Sequence, residues 1–227
     1  MRSEKRFIMY IYNKAEIDSK VFRFIYGCAL NDAILQKSFQ GKRIWIYGVQ
    51  GAEDEVRKYI NRVLKGDFKE NTTQAKDAHD KAFLDTAQNV CKAINEYSSK
   101  PAGAGLFHFG NAQKLINMTV KHVYAHVYTI HTVEYPSIRE HFRWCNSPMD
   151  QDMLNTVWKH YNGSEYKYKK DFCAPWGCED FDEDTNNNPC LPKRYVAFQS
   201  TINEIIKNGN DGVFPIEYDY IDWKNQK

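Results

Sequence analysis

Two residue types that can cooperate in covalent chemistry stand 36 positions apart in this 227-residue chain: Lys114 and Asp150. A neutral lysine amine is a nucleophile that forms Schiff bases, and a nearby carboxylate can accept a proton or stabilise positive charge. Lys114 ends the segment Gly110–Lys114, and Asp150 follows Pro148 and Met149. We therefore take Lys114 and Asp150 as the catalytic candidates.

Gly110 predicts a tight turn that opens a helix, because glycine can adopt a positive φ. The first N–H groups of a helix lack partners within it and form an anion site that suits a phosphate. On this helix Lys114, Asn117 and Lys121 share one face, at offsets of zero, three and seven. The residues expected to contact a DNA backbone are Gly110, Asn111, Ala112, Gln113 and Lys121.

The pattern resembles the helix-hairpin-helix family of DNA glycosylases, in which a Gly-hydrophobic-Gly-x-Lys hairpin opens a helix and an aspartate caps a later one. Here Ala112 stands in place of the second glycine, and Asn111 in place of the apolar residue. The resemblance covers roughly residues 107–157. The wide spacing of Lys114 and Asp150 is most similar to that of the archaeal 8-oxoguanine DNA glycosylases.

The resemblance implies an enzyme that excises a damaged or modified base from DNA, either as a glycosylase alone or as a glycosylase with AP-lyase activity. Such an enzyme must extrude the target nucleotide from duplex or single-stranded DNA. Asp150 would stabilise the oxocarbenium-like sugar and accept a proton from the nucleophile. Lys114, as a neutral amine, would attack the anomeric carbon.

Five further residues are candidates for the base pocket. Aromatic side chains stack on extruded bases, and a glutamine or asparagine amide can read a purine edge. Trp144 lies in the basic and aromatic run 139–144, and Trp176 lies in a loop with two nearby prolines. The candidates are Asn117, Trp144, Trp176, Phe198 and Gln199.

No metal or other cofactor is expected. His122 and His126 have the spacing of a zinc-binding pair on a helix. A metalloprotease helix also requires a glutamate between the two histidines, and none is present here. We therefore interpret these two histidines and His131 as partly buried structural residues. Cys173, Cys178 and Cys190 lack the tight paired spacing of a zinc or iron–sulfur site and are interpreted as reduced thiols.

Two other classes of function remain open. One is a non-catalytic helical module that binds nucleic acid or a protein partner. The other is a helical RNase of the toxin type, which usually has an arginine and a histidine with four to six residues between them. Arg57 to Arg62 lacks that histidine, and Arg139 stands too close to His141, so this class ranks last.

Helical periodicity of apolar residues predicts a mainly α-helical fold. Residues 7–12 and 43–47 fit either short strands or buried helix ends, and a small N-terminal strand pair is one option. Residues 162–192 are expected to be a long polar loop. Predicted helices cover residues 21–39, 51–65, 73–97, 112–131, a segment starting at Asp150, and 194–208.

The predicted organisation is a mixed segment over 1–66 packed on a glycosylase-like helical domain over 67–227. That domain carries the hairpin at 106–131 and the helix that starts at Asp150.

The composition limits which cellular compartment and which classes of binding partner are expected. A hydrophobic content of 42% indicates a folded protein, and 31 basic against 29 acidic residues exclude a strongly basic surface over the whole molecule. No apolar run is long enough to cross a membrane, and the N-terminal apolar run 7–12 has no convincing cleavage site. The protein is expected to be soluble and cytoplasmic.

Overall fold

The computed structural model describes residues 17–34, 44–131, 136–209 and 212–225 of the chain. The described part is mainly helical, as predicted, and has a single two-stranded antiparallel sheet. Its α-helices are α1 (Ser19–Ile34), α2 (Gln50–Lys65), α3 (Thr73–Asn95), α4 (Phe109–His131), α5 (Gln151–Trp158), α6 (Lys169–Phe172), α7 (Lys193–Gly209) and α8 (Pro215–Asn225). Short 3-10 helices cover Ile44–Gly48, Pro136–Phe142 and Trp176–Cys178, and the strands are β1 (Asp182–Glu183) and β2 (Pro189–Cys190).

Helix α4 is the centre of the fold. It packs against α1, α3 and the 3-10 helices at 136–142 and 176–178. The predicted apolar stripe of Ile116, Val120 and Val123 is fully buried, which confirms that prediction. The polar residues Gln113 and Asn117 are buried as well, so the amino-terminal half of α4 is enclosed on more than one face.

Helices α2 and α3 pack side by side and confirm two further predicted helices. Gly66 ends α2 in the left-handed conformation with φ 78°, which an L side chain would adopt only with strain. Thr72 caps α3 by accepting a hydrogen bond from the N–H of Ala75. The α3 stripe that includes Phe83, Ala87, Val90 and Ile94 is buried against the core.

For the segment predicted at 43–47 the structure selects the helical alternative over the strand. Residues 44–48 form a 3-10 helix and not a strand, and residues 7–12 lie outside the described part of the chain. The strands that the structure describes lie instead within 162–192, the segment expected to be a loop. There β1 and β2 pair across a turn in which Asn187 has φ 58°.

The two predicted segments, 1–66 and 67–227, contribute to one hydrophobic cluster in the described structure. Helix α1 lies directly against α4, and α2 lies against α3. The proposed division between them stays a prediction.

Gly110 differs from its predicted role. Helix α4 begins at Phe109, so Gly110 lies in its first turn and is not among the glycines with positive φ. Residues 96–108 connect α3 to α4 without a helix, so no short hairpin precedes α4. Glycine is needed here for close approach, because a Cβ at position 110 would lie 1.6 Å from the carbonyl oxygen of Trp176.

We predict that Gly110→Ala lowers the free energy of unfolding by about 3 kcal/mol, because the new methyl group overlaps a backbone carbonyl that cannot rotate away. Gly27→Ala in α1 is the matched control, since a Cβ there meets no atom within 4 Å in the described structure. It should stabilise the protein by up to about 1 kcal/mol. Urea unfolding measures both; equal stability of the two variants would contradict the assigned role of Gly110.

Candidate functional site

The structure brings Lys114 and Asp150 together. Lys114 lies in the second turn of α4, and its Nζ is 3.4 Å from Oδ2 of Asp150, the residue that precedes α5. The side chains retain 14% and 28% of their exposure, respectively. The pair is therefore held within the protein while remaining open to solvent on one side.

Asp150 has a different partner for each carboxylate oxygen. It has the extended backbone of an N-cap, and Oδ1 accepts a hydrogen bond from the N–H of Met153 at 3.0 Å. Oδ2 is the oxygen that faces Lys114. The cap fixes the carboxylate at the amino-terminal end of α5.

Trp176 forms another wall of this site. Its ring centroid lies 4.8 Å from Nζ of Lys114, within the range of a cation–π contact. The indole is buried and sits in the 3-10 helix at 176–178, whose backbone approaches Gly110. Trp176 is thus the predicted pocket residue that the structure places against Lys114.

Three buried side-chain amides, here named the amide clamp, hold the segment 147–149 that leads to Asp150. They belong to Gln113, Asn117 and Gln199. Gln113 forms two bonds with Met149: its Nε2 donates to the Met149 carbonyl at 2.7 Å, and its Oε1 accepts from the Met149 N–H at 3.1 Å. This pairing imitates that of a neighbouring β-strand.

The other two amides fix the start of the same segment. Gln199 donates to the Ser147 carbonyl at 2.7 Å and accepts from the Ser147 N–H at 3.2 Å. Asn117 donates to the Ser147 carbonyl and to the Tyr195 hydroxyl. Lys114 belongs to α4, and so do the clamp residues Gln113 and Asn117. The clamp therefore sets the position of Asp150 relative to Lys114.

The residues expected to contact a DNA backbone are mostly turned into the protein. Gly110, Asn111, Ala112 and Gln113 are buried. The N–H of Gly110 donates to the Glu179 carbonyl, and the Asn111 amide donates to the Ala33 carbonyl. These groups have hydrogen-bond partners within the protein, and their contact with a DNA backbone stays a prediction.

Lys121 also has protein partners. Its ammonium pairs with Asp219 of α8 and lies 4.6 Å from the ring centroid of Tyr220. The Tyr220 hydroxyl donates to the carbonyl of Lys121. Lys121 therefore joins α8 to α4 in the described structure.

The remaining pocket candidates lie apart from Lys114 or inside the core. Asn117 and Gln199 belong to the amide clamp, and Phe198 is fully buried. The Trp144 indole N–H donates to the carbonyl of Glu70. The sequence analysis does not predict that Gln113 binds the backbone of Met149. A signal for it is present, because Gln113 and Asn117 are amides one turn apart on a helix with a strong apolar stripe, where buried polar partners are expected.

His122 and His126 of α4 are partly buried. Burial lowers the pKa of His122 and of His126, which favours their neutral forms. Among the described residues no group of three or more His, Cys, Asp or Glu side chains is arranged to hold a metal, and the six cysteines are free. The side chain of His131 lies outside the described residues.

None of the helices in the described ranges combines the length and apolar character needed to cross a bilayer.

Comparison with protein-family models, with curated proteins and with solved structures finds no match to this chain.

We predict that Gln113→Met lowers the free energy of unfolding by about 3 kcal/mol, because it leaves the Met149 N–H and carbonyl buried without their partner. Thr119→Val is the control. Thr119 is equally buried on the same helix, but its hydroxyl donates only to the Leu115 carbonyl, so its loss should cost less than about 1 kcal/mol. Chemical unfolding measures both values, and a Gln113→Met protein as stable as Thr119→Val would show that the clamp is not needed.

Proposed function

We propose that this protein is a DNA N-glycosylase with AP-lyase activity that excises a damaged or modified base. The observation that carries the proposal is the partly exposed pair of Lys114 and Asp150, in which the aspartate also caps a helix. A nucleophilic amine and a fixed carboxylate are the two groups that this reaction requires.

The pair can provide the nucleophile without another residue. Nζ of Lys114 lies close enough to Oδ2 of Asp150 for a proton to pass from the ammonium to the carboxylate when the substrate enters. The neutral amine then has a free electron pair. Because the cap bond holds Oδ1, the carboxylate keeps its orientation while Oδ2 exchanges the proton.

The covalent step joins Lys114 to the sugar and releases the base. The electron pair of Nζ forms a bond to the anomeric carbon of an extruded nucleotide, and the glycosidic bond breaks with its electron pair leaving on the base. Opening of the sugar ring then gives a Schiff base. The two protons that the ammonium loses are taken up, by way of Asp150, by the departing base and by the ring oxygen.

The lyase step uses the same Schiff base. It acidifies the proton on the neighbouring sugar carbon; the Asp150 carboxylate accepts that proton, and the electron pair left on the carbon expels the 3′ phosphate as the carbon–oxygen bond breaks. The Asp150 carboxylate stabilises the positive charge that develops on the sugar before the amine bond is complete. Lysine and carboxylate are sufficient for these steps.

Two features of the pair's surroundings support the proposal. Trp176 contacts Nζ from a further side, which restricts the positions that the amine can take. The amide clamp fixes the backbone immediately before Asp150.

The six free cysteines favour a reducing compartment, and we propose that the enzyme acts in the cytoplasm.

We predict that the wild-type protein forms a borohydride-stable adduct with DNA that contains its target base, found by screening a panel of oxidised, alkylated and naturally modified duplexes. Lys114→Ala should abolish the adduct. Asp150→Asn should slow base release in single-turnover assays by about 10²- to 10⁴-fold while preserving the helix cap, because asparagine caps as well as aspartate.

Lys81→Ala is the control for the loss of a lysine–aspartate pair, since Lys81 pairs with Asp85 on the exposed face of α3. It should form the adduct at the wild-type rate. Base release that survives both Lys114→Ala and Asp150→Asn would overturn the assignment. Salt-sensitive DNA binding without base release from any duplex would favour the non-catalytic binding module.

A further inference from the structure

Next to the site lies a lysine-rich segment, residues 159–170, which we name the lysine tract. Its four lysines are exposed, and among the described residues none has a carboxylate within 4 Å. Many other lysines and arginines of the described fold do form ion pairs, Lys114 and Lys121 included. The lysines of the tract are Lys159, Lys167, Lys169 and Lys170.

We propose that the lysine tract binds the phosphates of one DNA strand beside the nucleotide that enters the Lys114 and Asp150 site. This inference rests on the proposed function and names the surface that brings DNA to the site. Unpaired ammonium groups release counterions from DNA when they contact phosphates, which supplies affinity without reading sequence.

The tract is attached to the site through the residues that follow it. The Gln151 side chain, next to Asp150, donates to the Cys173 carbonyl at 3.2 Å. Three residues along the chain from Cys173 to Lys170 span at most about 11 Å, which corresponds to about three charges along one DNA strand. Three residues in the other direction lead to Trp176 against Lys114. The carboxyl-terminal end of the tract, at Lys170, therefore lies within a few nucleotides of the Lys114 and Asp150 pair.

An aromatic cluster holds the tract in place. Trp158 at the end of α5 stacks on Tyr161, and Phe172 contacts both Tyr161 and Tyr166 with ring centroids 4.8 and 5.6 Å apart. Phe172 is fully buried. Such packing limits the freedom of the backbone between the lysines, so less conformational entropy is lost when DNA binds.

The charges around the site also favour a path of the DNA strand over the lysine tract. The tract contains one acidic residue, Glu165, and Asp171 follows it directly; both carboxylates are exposed, and the four lysines outnumber them. By contrast the run 179–184 at the amino end of α4 is acidic, and Asp180 remains 72% exposed beside His108. A phosphate chain is repelled there and attracted by the tract.

The test compares two fourfold variants with equal loss of charge. Lys159→Gln, Lys167→Gln, Lys169→Gln and Lys170→Gln are combined in one protein. The control combines Lys20→Gln, Lys65→Gln, Lys92→Gln and Lys207→Gln, which are also exposed and without ion pairs among the described residues. Fluorescence anisotropy measures binding to a short duplex with a tetrahydrofuran abasic analogue, which cannot form a Schiff base.

We predict that the tract variant binds at least about tenfold more weakly at about 0.1 M salt, and that the slope of log affinity against log salt falls by about 3. The control should keep the wild-type affinity and slope. At saturating DNA the tract variant should release the base at the wild-type single-turnover rate, because the tract does not touch the reacting atoms.

The outcomes separate this inference from the proposed function. Equal weakening by the tract and control variants, or no weakening by either, overturns the tract as the DNA surface even if base release is observed. Selective weakening by the tract variant supports it, also when no duplex in the panel loses a base. In that case the lysine tract is supported as a DNA-binding surface, and the proposal that the protein excises a base fails.

Discussion

The hydrogen bonds between the Gln113 amide and the backbone of Met149 are the interaction on which the site depends. Both groups of Met149 are satisfied by one side chain, at 2.7 and 3.1 Å, inside a region that water does not reach. A buried donor and acceptor left without partners cost more than a hydrogen bond contributes, so the pairing selects one register for this segment. That register determines where Asp150 lies relative to Lys114.

The rest of the fold provides the burial that makes this interaction specific. Helix α4 is enclosed by α1, α3 and the 3-10 helices, and it carries Gln113 and Lys114 on adjacent positions. One residue therefore points inward to fix the backbone before Asp150, while the next reaches the carboxylate at a partly open edge. The close approach of Gly110 to Trp176 brings the indole against the same amine. The positioning residue Gln113 and the proposed nucleophile Lys114 are thus consecutive residues of one helix.

Patterns with a local cause could be predicted from the sequence, and those with a tertiary cause could not. The apolar stripes of α3 and α4, the stop at Gly66 and the helix that starts at Asp150 follow from periodicity and capping rules. Gly110 was expected to adopt a positive φ, but its role depends on a carbonyl 66 residues further along the chain. Asn117 and Gln199 are predicted for a base pocket because amides suit both base edges and backbones; their contacts with the backbone of Ser147 depend on the tertiary fold and could not be predicted.

In the proposed function Lys114 is the amine that reacts with DNA. The most direct measurement is to reduce the complex with an abasic duplex by borohydride, digest protein and DNA, and find the modified residue by mass spectrometry. We predict that the reduced sugar remnant is attached to Nζ of Lys114. Attachment to another lysine or to the N-terminal amine, with Lys114 unmodified, would contradict it.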